Sequence, residues 1–303
     1  MTNWVRTNFN IIPEVEQALQ FGKPVVALES TVITHGLPYP ENINLAKDME
    51  MVIREQGCIP ATIAIIEGKI CVGFDRALMD LLVHCKDICK ISVRDIAPAV
   101  VMHKSGGTTV AGTLAIAQIL GIKVFATGGI GGVHRGAPFD VSADLGQLAR
   151  SQLVVVCAGA KAILDIPATL EVLETYGIPV VGYKTAEFPA FFSTSSGFPV
   201  SIRTDLPEEV AVLAKTHWEM GMESSILVAV PPPADVALDA ADVESAIQTA
   251  LNEAVHSHIH GQAMTPFLLR RVSELTGGTS LKANLGLLRN NAHVAAEIAH
   301  FIY

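Results

Sequence analysis

One lysine stands apart in the stretch VVVCAGAKAILDIPATLE, Val154 to Glu171. Lys161 follows a strand-like apolar run and a small-residue turn, and Ala, Ile and Leu flank it. Taking an ammonium out of water is costly, so such a lysine finds a partner, gives up its proton or reaches out to solvent. Without its proton it is a nucleophile. If it merely opens a helix and snorkels, it does no chemistry, and this stretch alone leaves both readings open. Two other strand-like runs also end in polar residues. PVVALES delivers Glu29, Ser30 and Thr31, with His35 beyond, and KVFAT runs into GGIGGVHRGAPFDVSADL, Gly128 to Leu145. Ligands of α/β sheets bind at the carboxyl ends of strands. The three ends therefore bring together a carboxylate, a glycine loop with two aspartates and an amine, which favours the chemical reading of Lys161.

The residues around the glycine loop suggest anion and metal chemistry. GGIGG could cradle a phosphate with backbone N–H groups, or be only a tight turn; His134 and Arg135 beside it favour an anion. Asp140, Ser142 and Asp144 alternate as hard oxygen donors that suit Mg²⁺ or Mn²⁺ with much of the shell left as water. One of them could instead cap the helix that begins near Asp144. Lys90, within the strand-like DICKISVRD, offers a phosphate point charge or a surface lysine. KSGGTTVAGT (104–113) offers backbone donors or a capped helix start, and Asn284 a cap or a reach into a site. The histidines of HSHIH (256–260) suit a helix C-terminus better than a zinc site.

The elements that must hold these residues follow from periodicity. Apolar β-branched runs alternate with amphipathic stretches, which predicts an α/β fold with a largely parallel, covered sheet. A hairpin at Glu67-Gly68 makes the sheet mixed. Helices are expected over 41–57, 112–121 and 166–177, and strands over 24–30, 152–159 and 178–183. PPPADVALDAAD (231–242) reads as a linker into a mostly helical C-terminal portion from about 240, within a single domain spanning 1–303. Half of the 303 residues are apolar, 17% are charged and the net charge is −9, so general affinity for nucleic acid or anionic membranes is not expected. The five cysteines form no CxxC pair and read as buried free thiols of a reducing compartment. No segment reaches the ~18 apolar residues of a membrane span, and the N-terminus has no apolar run of signal-peptide length. A cytoplasmic protein is expected.

The motifs ALESTVITHGLPYPEN, GGIGGVHRG, FDVSADLGQLARS, VVCAGAKAILDIPATLEVLETYGIPVVGY, FPAFFSTSSGFPV and SLKANLGLLRNNA together resemble the pseudouridine-5′-phosphate glycosidase family, which includes proteins named after indigoidine synthase A. The likeness runs from about residue 11 to the C-terminus. It implies a three-layer α/β/α sandwich with a mixed, largely parallel central sheet, assembly as a homotrimer, and one divalent ion per subunit, typically Mn²⁺ with other divalent ions also open. The implied reaction is reversible cleavage of pseudouridine 5′-phosphate to uracil and ribose 5-phosphate. The family's nucleophile matches Lys161, its proton donor Glu29 and its metal ligand Asp140. Substrate contacts match Lys90, Val110, Ser142, Ala143 and Asp144, and position adds Thr109, His134 and Asn284. The segment between HRG and FD, Ala137-Pro138, is shorter than expected in some relatives.

The reaction explains why an amine is wanted. Glycosidases that cut bonds to oxygen or nitrogen protonate the leaving atom and need two carboxylates. Pseudouridine joins ribose to uracil through carbon, which has no lone pair to protonate. If the ribose ring opens, C1′ can instead bond Lys161 and leave through an iminium. A class I aldolase-like sugar-phosphate lyase would use the same lysine and phosphate grip without a nucleobase. A sugar-phosphate-binding module would use Lys161 as a simple phosphate contact.

Overall fold

The computed structural model of the chain describes residues 3–85, 87–257, 259 and 264–303. The apolar runs assemble into one large sheet. Its strands lie in the order β1 (Phe9–Ile11), β4 (Lys69–Val72), β3 (Ile59–Ile66), β2 (Val25–Leu28), β7 (Val124–Ala126), β10 (Val154–Cys157), β14 (Ile226–Ala229), β12 (Val180–Tyr183) and β13 (Ile202–Thr204). Off this path, β6 (Gly106–Thr108) pairs with β3 and with β5 (Cys89–Ile91). Only the pairings of β3 with β4 and β6 are antiparallel; the other pairings of this sheet are parallel. A second, antiparallel sheet joins β11 (Leu164–Asp165), β8 (Val133–His134) and β9 (Ala137–Val141).

Around the sheets lie α1 (Asn3–Asn8), α2 (Pro13–Gln20), α3 (Glu41–Glu55), α4 (Arg76–His84), α5 (Ile96–Val101), α6 (Val110–Leu120), α7 (Ala143–Leu148), α8 (Ile166–Thr175), α9 (Pro207–Glu219), α10 (Ala240–His256), α11 (Met264–Leu275) and α12 (Thr279–Ile302). The mixed, mostly parallel sheet with helices around it is the fold expected. Central strands β2, β7, β10, β12 and β14 are buried at every residue, which is why they read as continuous apolar runs rather than alternating ones. The β3–β4 turn needs φ > 0 at both central residues, and Glu67 (φ 50°) and Gly68 (φ 76°) supply it.

Helix α12 lies over β2, β7 and β10, with α3 and α9 at its flanks. Its buried stripe includes Ala283, Leu287, Asn291, Ala295 and Ile298, so the Asn291 amide interrupts an apolar run there. On the other side of β2 and β3, α6 packs against both and against α7. Residues 231–239 carry no helix or strand and lead into α10.

All five cysteines are free, and Cys58, Cys71 and Cys157 are buried while Cys85 and Cys89 are half-buried. Burial pushes the Cys58 and Cys71 thiols up to about 11 and the Cys157 thiol up to about 12, which leaves all three inert near neutrality. No helix among the described residues is long and apolar enough to cross a membrane. Of the HSHIH histidines, His258 and His260 lie outside the described residues; His256 sits at the end of α10 and bonds the Asn252 carbonyl through Nδ1 at 2.7 Å.

Candidate active site

Where β2 ends, the chain turns sharply, and the turn is fastened to its neighbours. Ser30 donates its hydroxyl to the Ile63 carbonyl at 2.6 Å and accepts the Thr108 amide at 2.9 Å. This leaves Glu29 at the strand's end, 8% exposed. Its carboxylate accepts the hydroxyl of Thr31 and, at 2.5 Å, the hydroxyl of Thr127, which follows the adjacent strand β7. One π-helical turn, Val32–Gly36, then carries His35; such turns recur at functional sites.

Lys161 follows β10. Gly159, ahead of it, has φ +86°, and a Cβ there would stand 2.4 Å from the Pro189 carbonyl, so only glycine fits. Ile130 of the glycine loop donates its amide to Gly159 and accepts the Lys161 amide, both at 3.0 Å, which ties the two loops together. Lys161 does not open a helix: it precedes the short strand β11, and α8 starts at Ile166. Arg135 braces this turn. Its Nε donates to the Leu164 carbonyl and its Nη2 to the Ala162 carbonyl, both at 3.1 Å, and its Nη1 pairs with Glu244 at 2.5 Å. The expectation that Arg135 serves an anion is therefore corrected, because its fork is already engaged by two carbonyls and a carboxylate.

Glu29, Lys161 and Lys90 line one cleft together with His35 and Asn284. Phe191, Leu269 and Leu288 give it an apolar wall. Among the described residues, no hydrogen bond or ion pair engages the amines of Lys161 and Lys90 or the amide of Asn284. Burial, followed by the Lys161 charge, holds Lys90 below the ordinary lysine range, while Asp144 and Glu29 pull it back up. Burial and the Lys90 charge lower His35.

A second group of expected residues adjoins Lys90. Thr109 donates its amide to Ile91, the residue after Lys90, at 2.9 Å and caps α6 by accepting the Gly112 amide at 3.2 Å. The Val110 side chain is buried, so what Val110 can offer a ligand is its main chain. Asp144, 5% exposed, accepts the Ala111 amide with Oδ1 at 2.9 Å and the Gly131 amide with Oδ2 at 2.8 Å. Ser142 caps α7 by accepting the Asp144 amide at 3.2 Å, and Ala143 is that helix's first residue. His134 sits half-buried on β8 and Asp140 is exposed on β9, and neither lines the cleft.

Two readings of the loop change as a result. Asp140, Ser142 and Asp144 do not form one ligand set, since Asp144 and Ser142 are engaged by backbone amides. The glycines of GGIGG are not there for left-handed backbone. A Cβ on Gly131 would lie 2.2 Å from the Ser142 hydroxyl and one on Gly132 2.3 Å from the Thr169 hydroxyl, so close packing requires them. Among the described residues no three His, Cys, Asp or Glu side chains gather to hold a metal. Asp140 alone fits a hard ion only as a single carboxylate under a shell of water.

Sequence reasoning missed Thr127 and Asn291 as parts of this arrangement and gave Arg135 another role. Asn291 alone carried a signal, as a lone amide on the apolar stripe of α12.

The comparisons with known proteins agree with this architecture. Residues 14–301 match the family described as indigoidine synthase A like protein. The pseudouridine-5′-phosphate glycosidase of Caldanaerobacter subterraneus subsp. tengcongensis is 51% identical over 288 residues, 94% of each chain. That of Herpetosiphon aurantiacus is 52% identical over 295 residues, 97% of each chain. Among solved structures, the prealnumycin C-glycosynthase AlnA in complex with ribulose 5-phosphate superposes with a TM-score of 0.90 at 39% identity, covering 97% of this chain and 96% of that one. An indigoidine synthase A-like protein from Thermotoga maritima gives a TM-score of 0.86 at 40% identity, covering 92% of each. The chain belongs to the indigoidine synthase A-like family.

Proposed function

We propose that this protein is a pseudouridine-5′-phosphate glycosidase that cleaves the C-glycosidic bond through a covalent bond to Lys161. The observation that carries the reading is the meeting of Glu29 and Lys161, from two different strand ends, in one cleft beside Lys90. Relatives bearing that name, alike over nearly the whole chain, support it. So does a structural neighbour, itself a C-glycosynthase crystallised with a sugar phosphate.

The neutral Lys161 amine bonds C1′ as the C1′–O4′ bond breaks; Glu29 gives O4′ a proton and takes one back from the new secondary ammonium, which frees the Nζ lone pair. Glu29 then protonates uracil C5. The C1′–C5 pair returns to the pyrimidine ring as C5=C6, and the Nζ lone pair forms the iminium at C1′. Water adds to C1′, the C–N bond breaks, and ribose 5-phosphate leaves with Lys161 restored. Thr31 and Thr127 hold the Glu29 carboxylate for these proton transfers. Lys90 and the start of α6, Thr109 and Val110, hold the 5′-phosphate. Asn284, with both a donor and an acceptor, faces the base against the apolar wall. Asp144 contributes by joining the start of α6 to Gly131, and Ser142, Ala143 and His134 are left for outer contacts with the phosphate. Asp140 would hold a hydrated Mn²⁺, whose charge would order water and offset that of the substrate. A homotrimer in the cytoplasm completes the proposal.

The test is exchange between uracil plus ribose 5-phosphate and pseudouridine 5′-phosphate in the presence of Mn²⁺, with borohydride-treated samples read by intact mass. Uracil-dependent turnover with a pentose-phosphate adduct on Lys161 supports the reading. An adduct without uracil chemistry points to an aldolase-like lyase, and binding with neither signal points to a sugar-phosphate-binding module.

A further inference from the structure

The Asn291 side chain is fully buried on the stripe of α12 that faces the sheet, among Leu287, Leu288 and Ala292. Its Nδ2 donates to the Thr127 carbonyl at 2.8 Å and lies 3.4 Å from the Gly128 carbonyl. The opposite amide orientation would set Oδ1 against those carbonyl oxygens, so the partners fix this one. Oδ1 is then buried with no hydrogen-bond partner among the described residues. An aliphatic side chain here would remove the orphaned Oδ1 but orphan the Thr127 carbonyl in its place, so the amide gives little net stability. The amide has a use in what it does to its two partners.

Thr127 and Gly128 lie where β7 leaves the sheet. The Thr127 amide still donates to Val156, at 3.0 Å. Just past β10, the amide of Ala158 donates at 2.8 Å to Gly128 rather than to Thr127. The Thr127 carbonyl thus falls outside the regular ladder, and Asn291 supplies its donor. The same residue's hydroxyl donates to Glu29 at 2.5 Å, and Gly128 forms part of the cleft wall.

We propose that Asn291 is a positioning residue: by holding the Thr127 and Gly128 carbonyls it sets the Thr127 hydroxyl, and through it the Glu29 carboxylate, for proton transfer. The functional consequence rests on the reading of Glu29 as proton donor given above. The geometric one does not.

The informative substitution is Asn291→Leu, which is close in size and removes both the donor and the orphaned acceptor. Its urea midpoint should stay near that of the wild type. Its kcat for uracil release should fall roughly 10- to 100-fold with KM within about threefold, as expected when a catalytic group is misplaced while substrate binding is kept. Because Asn291 acts through Thr127, Asn291→Leu in a Thr127→Val background should cost no more than about threefold further. Asn291→Ala, put through the same cycle, serves if the leucine variant does not fold. Wild-type kcat in the folded variant, or full multiplicative losses in the double variant, would overturn the proposal. Crystal structures of wild type and Asn291→Leu read the Thr127–Glu29 contact directly: loss of the contact supports the proposal and its retention sinks it. If the wild type releases no uracil from pseudouridine 5′-phosphate, the glycosidase reading fails, and the crystal structures still decide this one.

Discussion

Asp144 holds Gly131 by its main-chain amide, Oδ2 to nitrogen at 2.8 Å, while its other carboxylate oxygen holds the amide of Ala111 at 2.9 Å. One buried side chain thus fastens the glycine loop to the start of α6. Both bonds are charge-assisted, and an asparagine could satisfy only one of them; its NH₂ would face the other amide, donor against donor. Asp144→Asn should cost about 2–4 kcal/mol of stability. Urea unfolding with an unchanged slope and a lowered midpoint is the expected result, and a wild-type midpoint would show that the clamp carries no stability.

Lys161 offers the most direct test of the reaction. Lys161→Ala should lower turnover by ~10³-fold or more, with the fold intact by circular dichroism. Lys161→Arg should do no better, because a guanidinium keeps its proton and cannot attack C1′. Activity within a few-fold of wild type in either variant would end the Schiff-base proposal.

The central strands were legible in the sequence because burial on both faces makes continuous apolar runs. Glu29 and Lys161 were legible because they stand where such runs stop, which is where an α/β sheet binds ligands. Thr127 was not, because a threonine after a strand looks like any turn residue until its hydroxyl is seen on Glu29. Arg135 was misread because its neighbours in sequence, a histidine and glycines, suggest an anion, while its partners Ala162, Leu164 and Glu244 lie far along the chain. The alternation of Asp140, Ser142 and Asp144 suggested a shared ion. The turn into α7 instead buries Asp144 and leaves Asp140 exposed on β9.

Arg135 should therefore matter to Lys161 rather than to phosphate. Arg135→Lys keeps the charge but replaces the planar fork with a point donor, so the Ala162 and Leu164 carbonyls cannot both be held in the same way. Formation of the borohydride-trapped adduct with ribose 5-phosphate should slow by about tenfold. The affinity for inorganic phosphate, read by calorimetry, should be unchanged. Weakened phosphate binding with a normal trapping rate would restore the anion-site reading.

The proposed role of Asp140 has two readouts. Asp140→Ala should abolish the dependence of turnover on added Mn²⁺ and leave activity low. It should also remove the Mn²⁺ that wild type retains in equilibrium dialysis, read by electron paramagnetic resonance. Full activity of the wild type under thorough chelation would count against the ion, and unchanged Mn²⁺ retention by the variant would place the ion elsewhere.

Lys90 sets a pH limit. Burial and the Lys161 charge hold it below the ordinary lysine range, so the folded protein gives up this proton at a lower pH than the unfolded chain does. Between the two values the unfolded state binds more protons. Stability therefore rises as pH climbs through that window, and the cost of keeping the ammonium in the cleft is fully present below it. Function runs the other way, since a neutral Lys90 cannot pair with a phosphate. In wild type, kcat/KM should fall on the alkaline side as Lys90 loses its charge. An arginine stays charged throughout this range. Lys90→Arg should therefore carry the alkaline limb of kcat/KM to higher pH, even if the altered shape lowers the plateau. Since kcat/KM follows the free enzyme, the substrate's own hold on Lys90 does not obscure the comparison. An alkaline limb that stays in place in Lys90→Arg would assign it to another group and remove Lys90 from the phosphate end of the cleft.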